Sequence, residues 1–356
     1  MKTIQPTTQP MTLDLPRFAR LSIGQWKIAT MASLIALSLS LPLLMSDFSL
    51  FQVTLALIYA IALLGLTLLI GFNGQFSLGH SAFLALGGYT AAVMMDHFGI
   101  SYGWTIPVSG AICFVVGFLF GIPALRIEGM YLALATLALA LATPPLLKYK
   151  AFEEYTGGVQ GIVLDKPEAP WGLPLNSDQW LYYLTLGVML LAFLLAWNLV
   201  RSRTGRAMKA VRDHPTAAQS MGINIALYKT LTFGVSAMFT GVAGALNAIV
   251  VSFVAPDSYQ LFLSILLLVG SVVGGLSSLG GAVLGAFFIQ YVPNIAGDIS
   301  KAAPWAIFGL VMILFMFVMP AGIYGTIRIG WLRWVMPRLF GGGEAEGSNE
   351  ETQSKP

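Results

Sequence analysis

The sequence predicts an all-α polytopic membrane protein of about ten transmembrane helices, with both termini on the cytoplasmic side. Three observations carry that expectation. Of 356 residues, 56% are hydrophobic and only 10% are charged, whereas a soluble domain carries roughly 25% charged residues. Apolar runs close to the ~20 residues that cross a bilayer recur along the chain. Once these runs are read as spans, fifteen of the nineteen Lys and Arg fall on one side and four on the other, the asymmetry that keeps basic loops inside. The net charge of +3 therefore says little about nucleic acid.

The first run, 28–45, follows a leader, 1–27, that contains Arg17, Arg20 and Lys27. The leader is long and no small-residue cleavage site follows the run, so an uncleaved first span behind a cytoplasmic tail is expected. Further runs at 51–71, 80–96, 104–125, 129–147, 180–200, 230–254, 260–275, 281–297 and 303–325 complete the set within a membrane domain, 28–330. Arg126, the cluster from Arg201 to Lys229, Arg328, Arg333 and Arg338 then lie inside, against Lys148, Lys150, Lys166 and Lys301 outside. Trp26, Trp104, Trp180, Trp197, Trp305, Trp331 and Trp334 sit near span ends, where an amphipathic indole prefers the interface. Two connections are long, a periplasmic one at 148–179 and a cytoplasmic one at 201–229. Residues 331–356 form a cytoplasmic tail, Gly-rich and acidic from Gly341 onward, whose composition predicts disorder.

The interiors of the ten spans carry no Asp, Glu, Lys or Arg, which argues against proton relays, voltage sensors and charged filters. His80, His97 and His214 are scattered, and the single cysteine, Cys113, makes neither a disulfide nor a zinc site, so no metal is expected. No phosphate-binding loop of the G-x-x-x-x-G-K-[ST] type occurs. The chain is therefore expected to be no enzyme and to hold no cofactor of its own; energy for active transport would come from another subunit.

Between the second and third spans, Gly71-Phe-Asn-Gly-Gln-Phe-Ser-Leu-Gly-His-Ser81 interrupts the apolar pattern with three glycines and a cluster of amides and hydroxyls. Freed backbone groups survive in lipid only where protein or a cavity satisfies them. Asn73, Gln75, Ser77 and His80 are thus candidates for a translocation path built from unwound helix ends; a Gly-rich turn with close helix packing is the other reading. The pattern G-x-x-S-L-G recurs at 275–280, which adds Ser278 to the candidates and makes a two-halved bundle plausible.

In the cytoplasmic loop, Pro215 suits the first turn of a helix, Asp213 its positive end and Gly222 its termination, so a short helix is expected over 216–221. A loop that only fixes topology and touches anionic lipid would explain the arginines but not that helix. The spacing Ala217-Ala218-x-x-x-Gly222 resembles the ATPase-coupling loop of ABC importer permeases. Gly74-Gln-Phe-Ser-Leu-Gly-His-Ser-Ala-Phe83 with Gly87-Gly88-Tyr89, Thr156-Gly-Gly-Val-Gln-Gly-Ile162, Gly205-Arg-Ala-Met-Lys-Ala-Val-Arg212 and Gly274-Gly-Leu-Ser-Ser-Leu-Gly280 resemble the branched-chain amino-acid permease family. The resemblance runs from about Leu55 to Pro320 and is greatest to the second permease type of such systems.

That resemblance implies a permease subunit of an ABC importer for branched-chain or other neutral amino acids, multi-pass in the bacterial inner membrane. It would pair with a second related permease, two cytoplasmic ATPases that carry ATP and Mg, and a periplasmic binding protein. Arg206, Arg212, Asp213, Pro215, Thr216, Ala217, Ala218 and Gly222 would then form the ATPase-coupling surface, and Thr156, Gly157, Gly158 and Gly161 would meet the binding protein. Thr216 stands where many ABC permeases have Glu, which puts an acidic contact in doubt. A urea or short-amide importer built on a similar permease, or a stand-alone facilitator for small neutral solutes, remains open at this point.

Overall fold

The computed structural model describes residues 38–125, 129–170, 174–299, 301 and 303–330. The chain divides into two units, 1–46 and 47–356. In the first, residues 38–44 are helical (α1); most of the predicted first span lies outside the described residues, as do the leader, Arg126 and the tail 331–356.

The second unit is built from helices whose apolar length sets their ends. They are α2 (Asp47–Thr67), continued by a π-helical stretch Leu68–Phe72, α3 (His80–Asp96), α4 (Tyr102–Ala124), α5 (Met130–Leu147), the short α6 (Glu153–Thr156) and α7 (Ser177–Arg201). After two loop helices, α8 (Arg203–Asp213) and α9 (Pro215–Ser220), come α10 (Ile225–Val251), α11 (Leu261–Gly274), α12 (Leu279–Ile299), α13 (Pro304–Val318) and α14 (Gly322–Gly330). Among the described residues, eight helical segments are long and apolar enough to cross a membrane; α3, at 17 residues, falls just under the length of the shortest of these. The span expected over 303–325 is divided at Met319-Pro320-Ala321, where Pro320 offers no N–H and Gly322 turns the chain at φ +74°.

The all-α expectation omits one feature. Ile162–Val163 (β1) pairs antiparallel with Phe253–Val254 (β2), in register Ile162↔Val254 and Val163↔Phe253, tying loop 148–179 to the end of α10.

At the centre, α10 packs against α4, α3 and α2. Lipid tails give no hydrophobic drive to helix association, so small residues that bring backbones together must hold such a bundle. Gly87 of α3 faces Gly241 of α10 so closely that a Cβ at Gly87 would overlap the Gly241 backbone. Around this crossing Phe83, Phe233 and Ala237 are buried together with Leu69, and Phe83 meets Phe233 edge to face with centroids 5.8 Å apart. The α2 helix is almost wholly buried, whereas α5 and α13 present Leu134, Leu141, Leu310, Ile313 and Phe317 outward. Such exposed apolar faces fit lipid or a partner subunit rather than water.

At the other end of α7, the Arg201 guanidinium lies 3.8 Å from the Trp197 ring centroid, a cation–π pair suited to the boundary between apolar and polar surroundings.

Candidate functional site

The site begins where α2 fails to close. Through Leu68–Phe72 the helix widens to π geometry, and below it the amides of Gly74 and Gln75 reach back to Ile70 and Leu69 carbonyls at 3.1 Å each. Gly74 has φ +74°, a conformation only Gly adopts without strain. The Gly71 carbonyl is one of the last carbonyls of this helix, which lack intrahelical donors. Its donor is an Arg212 guanidinium nitrogen, 141 residues away in sequence.

Three further contacts tie the same break to the 201–229 loop and the start of α10. Asn73 Nδ2 donates to the Tyr228 carbonyl at 3.4 Å, and Gln75 Nε2 to the Lys229 carbonyl at 3.0 Å. The Lys209 ammonium lies 5.3 Å from the Phe72 ring centroid. A cavity of about 190 Å³ remains between them, lined by Asn73, Gln75, Phe76, Arg212, Pro215 and Lys229 among others. Asn73 Oδ1 is buried with no hydrogen-bond partner among the described residues.

The loop that supplies Arg212 is itself ordered by local rules. Ser202 caps α8, its hydroxyl accepting from the Gly205 amide at 3.3 Å, and Ala207, Met208 and Val211 form the buried stripe of that helix. Pro215 opens α9, which ends before Gly222 at φ +80°. Asp213 does not cap α9, whose N-cap is His214; it lies one residue before that cap and accepts from Arg212 Nε at 2.8 Å.

Of the remaining candidates in this loop, Pro215, Thr216, Ala217 and Gly222 are exposed, whereas Ala218 is buried against this chain. Arg206 is exposed and turns its guanidinium to the Arg201 carbonyl, 3.3 Å away. Met221, which the sequence reading passed over, is 84% exposed; an apolar residue ending a polar helical stretch was the available signal.

Ser77 and His80 are drawn the other way, into the bundle. Ser236 gives its hydroxyl proton to the Gly65 carbonyl at 2.7 Å, so it accepts from His80 Nε2 at 2.8 Å. That leaves His80 Nδ1 as acceptor for the Ser77 hydroxyl at 3.1 Å, and Ser77 in turn accepts from the Gly79 amide at 3.3 Å. Every group is satisfied, which makes this chain of bonds interhelix glue. Ser77 also borders an apolar cavity of about 360 Å³ with Phe76, Met130 and Leu268, while His80 is sealed away from both cavities. Ser278 joins neither; it lies in the turn between α11 and α12, where a Cβ at Gly71 would overlap the Leu276 carbonyl. The two G-x-x-S-L-G breaks thus abut through Gly71 and Leu276.

On the opposite loop, Gly157, Gly158 and Gly161 have φ +68°, +55° and +75°. Thr156 closes this turn by donating to the Leu147 carbonyl at 2.8 Å and accepting from the Gly158 amide at 3.2 Å. His97 Nε2 lies 2.9 Å from the Glu154 carbonyl, and its ring stacks on Tyr155. The segment is a built turn rather than a slack Gly-rich loop. Among the described residues no group of three His, Cys, Asp or Glu could hold a metal ion.

The fold and this site define a polytopic helical membrane protein in which a basic two-helix loop clamps a broken span. Residues 49–319 match the family described as branched-chain amino acid transport system, permease component, and the chain belongs to that family. It is 31% identical over 321 residues to the high-affinity branched-chain amino acid transport system permease protein LivM of Escherichia coli (strain K12), covering 84% of this chain and 75% of the relative. The protein of the same description from Salmonella typhimurium is 30% identical over 319 residues, 83% of this chain and 74% of the relative. More distantly, the autoinducer 2 import system permease protein LsrC of Enterobacter sp. (strain 638) is 28% identical over 235 residues, 60% of this chain and 63% of the relative. No solved structure matches.

Proposed function

We propose that this chain is one of two related permease subunits of an ATP-driven ABC importer for branched-chain or other neutral amino acids in a bacterial inner membrane. Two cytoplasmic ATPases, carrying ATP and Mg, would engage the 201–229 loop, and an extracytoplasmic binding protein would deliver solute at the 156–161 turn. The observation that carries the reading is the Arg212 bond to the Gly71 carbonyl. It joins the loop between two spans directly to a place where a buried span is unwound. A push on α9 therefore reaches the break through α8, from which only His214 separates it.

The ATPase would meet the exposed edge of α9, Pro215, Thr216, Ala217 and Met221, while Ala218 anchors that helix to its own subunit. Movement of α8 would shift Arg212 against the Asn73 and Gln75 carboxamides, which bond to α10, opening or closing the cavity they line. Family membership and the similarity to LivM support the cargo class.

Affinity purification of the tagged chain from its native membrane in mild detergent, followed by mass spectrometry, tests the assembly. Recovery of a second permease and two ATPases is the expected result. A stable homo-oligomer of this chain alone would overturn the importer reading in favour of a facilitator.

A further inference from the structure

A further cavity lies away from the break, at the end of α5 nearest the 156–161 turn. It measures about 620 Å³ and is lined by Leu141, Pro144, Lys148, Asp257, Gln260 and Phe262 among others, a size within the ~300–1,000 Å³ range of small-molecule sites. The lining is mostly apolar, with Gln260 as one polar exception and a charged rim where Lys148 Nζ and Asp257 Oδ1 stand 2.6 Å apart. Both side chains reach solvent, 30% and 56% exposed respectively, and an ion pair so exposed contributes little to stability. A ligand bearing both charges can replace it at small cost.

Pro144 and Pro145 have no N–H, so the α5 hydrogen bonds to the Ala140 and Leu141 carbonyls are missing, which leaves acceptors in the lining. Gln260 adds an amide donor, and α11 starts at Leu261 with no side-chain cap, leaving first-turn N–H groups. We infer that this cavity is a receiving site for a zwitterionic α-amino acid with an apolar side chain. Asp257 and the freed carbonyls take its ammonium group, Lys148 and Gln260 take its carboxylate, and the side chain lies against Leu141 and Phe262.

This deepens the importer reading and rests on it. The site is joined to the turn that would receive the binding protein, because Thr156 bonds the Leu147 carbonyl directly before Lys148. Solute released at that turn has the cavity as its next polar stop.

The test uses photo-leucine, a diazirine analogue of leucine, on the full chain purified in detergent without binding protein or nucleotide. Irradiation followed by peptide mapping is expected to place adducts in 140–148 and 256–262. Unlabelled L-leucine should suppress them, whereas isovaleric acid, which lacks the ammonium, and isoamylamine, which lacks the carboxylate, should not. Asp257→Asn and Lys148→Met should each reduce adduct yield about tenfold. The double exchange Lys148→Asp with Asp257→Lys restores an ion pair but reverses the polarity, and should not restore the wild-type adduct pattern. Adducts elsewhere, or equal competition by isovaleric acid, would show an acyl-chain groove and overturn the site. Because competition is read on the unmutated chain, a variant that fails to fold does not blunt the test. ATP-driven leucine uptake together with no competable adduct would reject this site alone; absence of ATP-driven uptake would instead reject the importer reading.

Discussion

Replacing Arg212 by Ala removes the donor to the Gly71 carbonyl while leaving that carbonyl buried at the end of the π stretch. A hydrogen bond to a charged group is worth roughly 1.5–3 kcal/mol, and an orphaned buried acceptor costs a similar amount. Since the Arg212 side chain is 34% exposed, water offsets part of the loss, and about 1–2 kcal/mol remains. That corresponds to about a 5–30-fold shift in an equilibrium. If the bond carries motion from the loop to the break, the shift appears in coupling. Reconstituted with its ATPases and binding protein, the Arg212→Ala complex should hydrolyse ATP at near the wild-type rate while leucine transported per ATP falls about tenfold. Asp213→Asn, which removes only the exposed pair with Arg212, should leave the ratio unchanged. An unaltered ratio in Arg212→Ala would refute the coupling argument, and so would an equal fall in hydrolysis and transport, which would signal loss of assembly instead.

Other substitutions separate packing from docking. Gly71→Ala places a methyl on the Leu276 backbone and should cost about 1–3 kcal/mol, seen as a lower unfolding midpoint in detergent. His80→Ala breaks the chain between Ser77 and Ser236; about 2–4 kcal/mol of stability should be lost, with the apparent KM of uptake unchanged, and a KM shift at intact stability would place His80 in the path after all. Ala217→Glu adds charge on an exposed face and should abolish recovery of the ATPases without lowering the unfolding midpoint. Ala218→Glu buries a carboxylate at a position 4% exposed and should lower both; identical behaviour of the two variants would remove the distinction between docking and anchoring faces.

Much of this architecture is legible in the chain because a bilayer restricts the options. Apolar length sets span ends, and the run 80–96 coincides with α3 since Gly79 and Asp96 bound it sharply. The break near Gly71 is readable because Gly, Asn and Gln are costly amid apolar residues. Its closing partner is not, as no local pattern announces that Arg212 will cross 141 positions to the Gly71 carbonyl. The π stretch is similarly silent, since Leu68-Leu-Ile-Gly-Phe72 reads as ordinary apolar helix. Pairing of Ile162 with Val254 is a long-range event between two-residue strands, too short to show alternation. Two features were within reach and passed over. Ser202 before Arg203, with Ala207, Met208 and Val211 on one face, signals α8, and Met319-Pro320-Ala-Gly322 signals the division of the last span. The role of His80 is hard to read for a different reason: a polar side chain in an apolar run looks alike in path and bundle until its partners, Ser77 and Ser236, are in place.

Uptake of radiolabelled L-leucine into proteoliposomes tests the central claim most directly, with this chain, its second permease and its ATPases reconstituted and binding protein supplied on the opposite side from ATP. The account predicts accumulation that requires hydrolysable ATP, binding protein and this chain together. Equilibration of leucine by this chain alone, indifferent to ATP and binding protein, would contradict it.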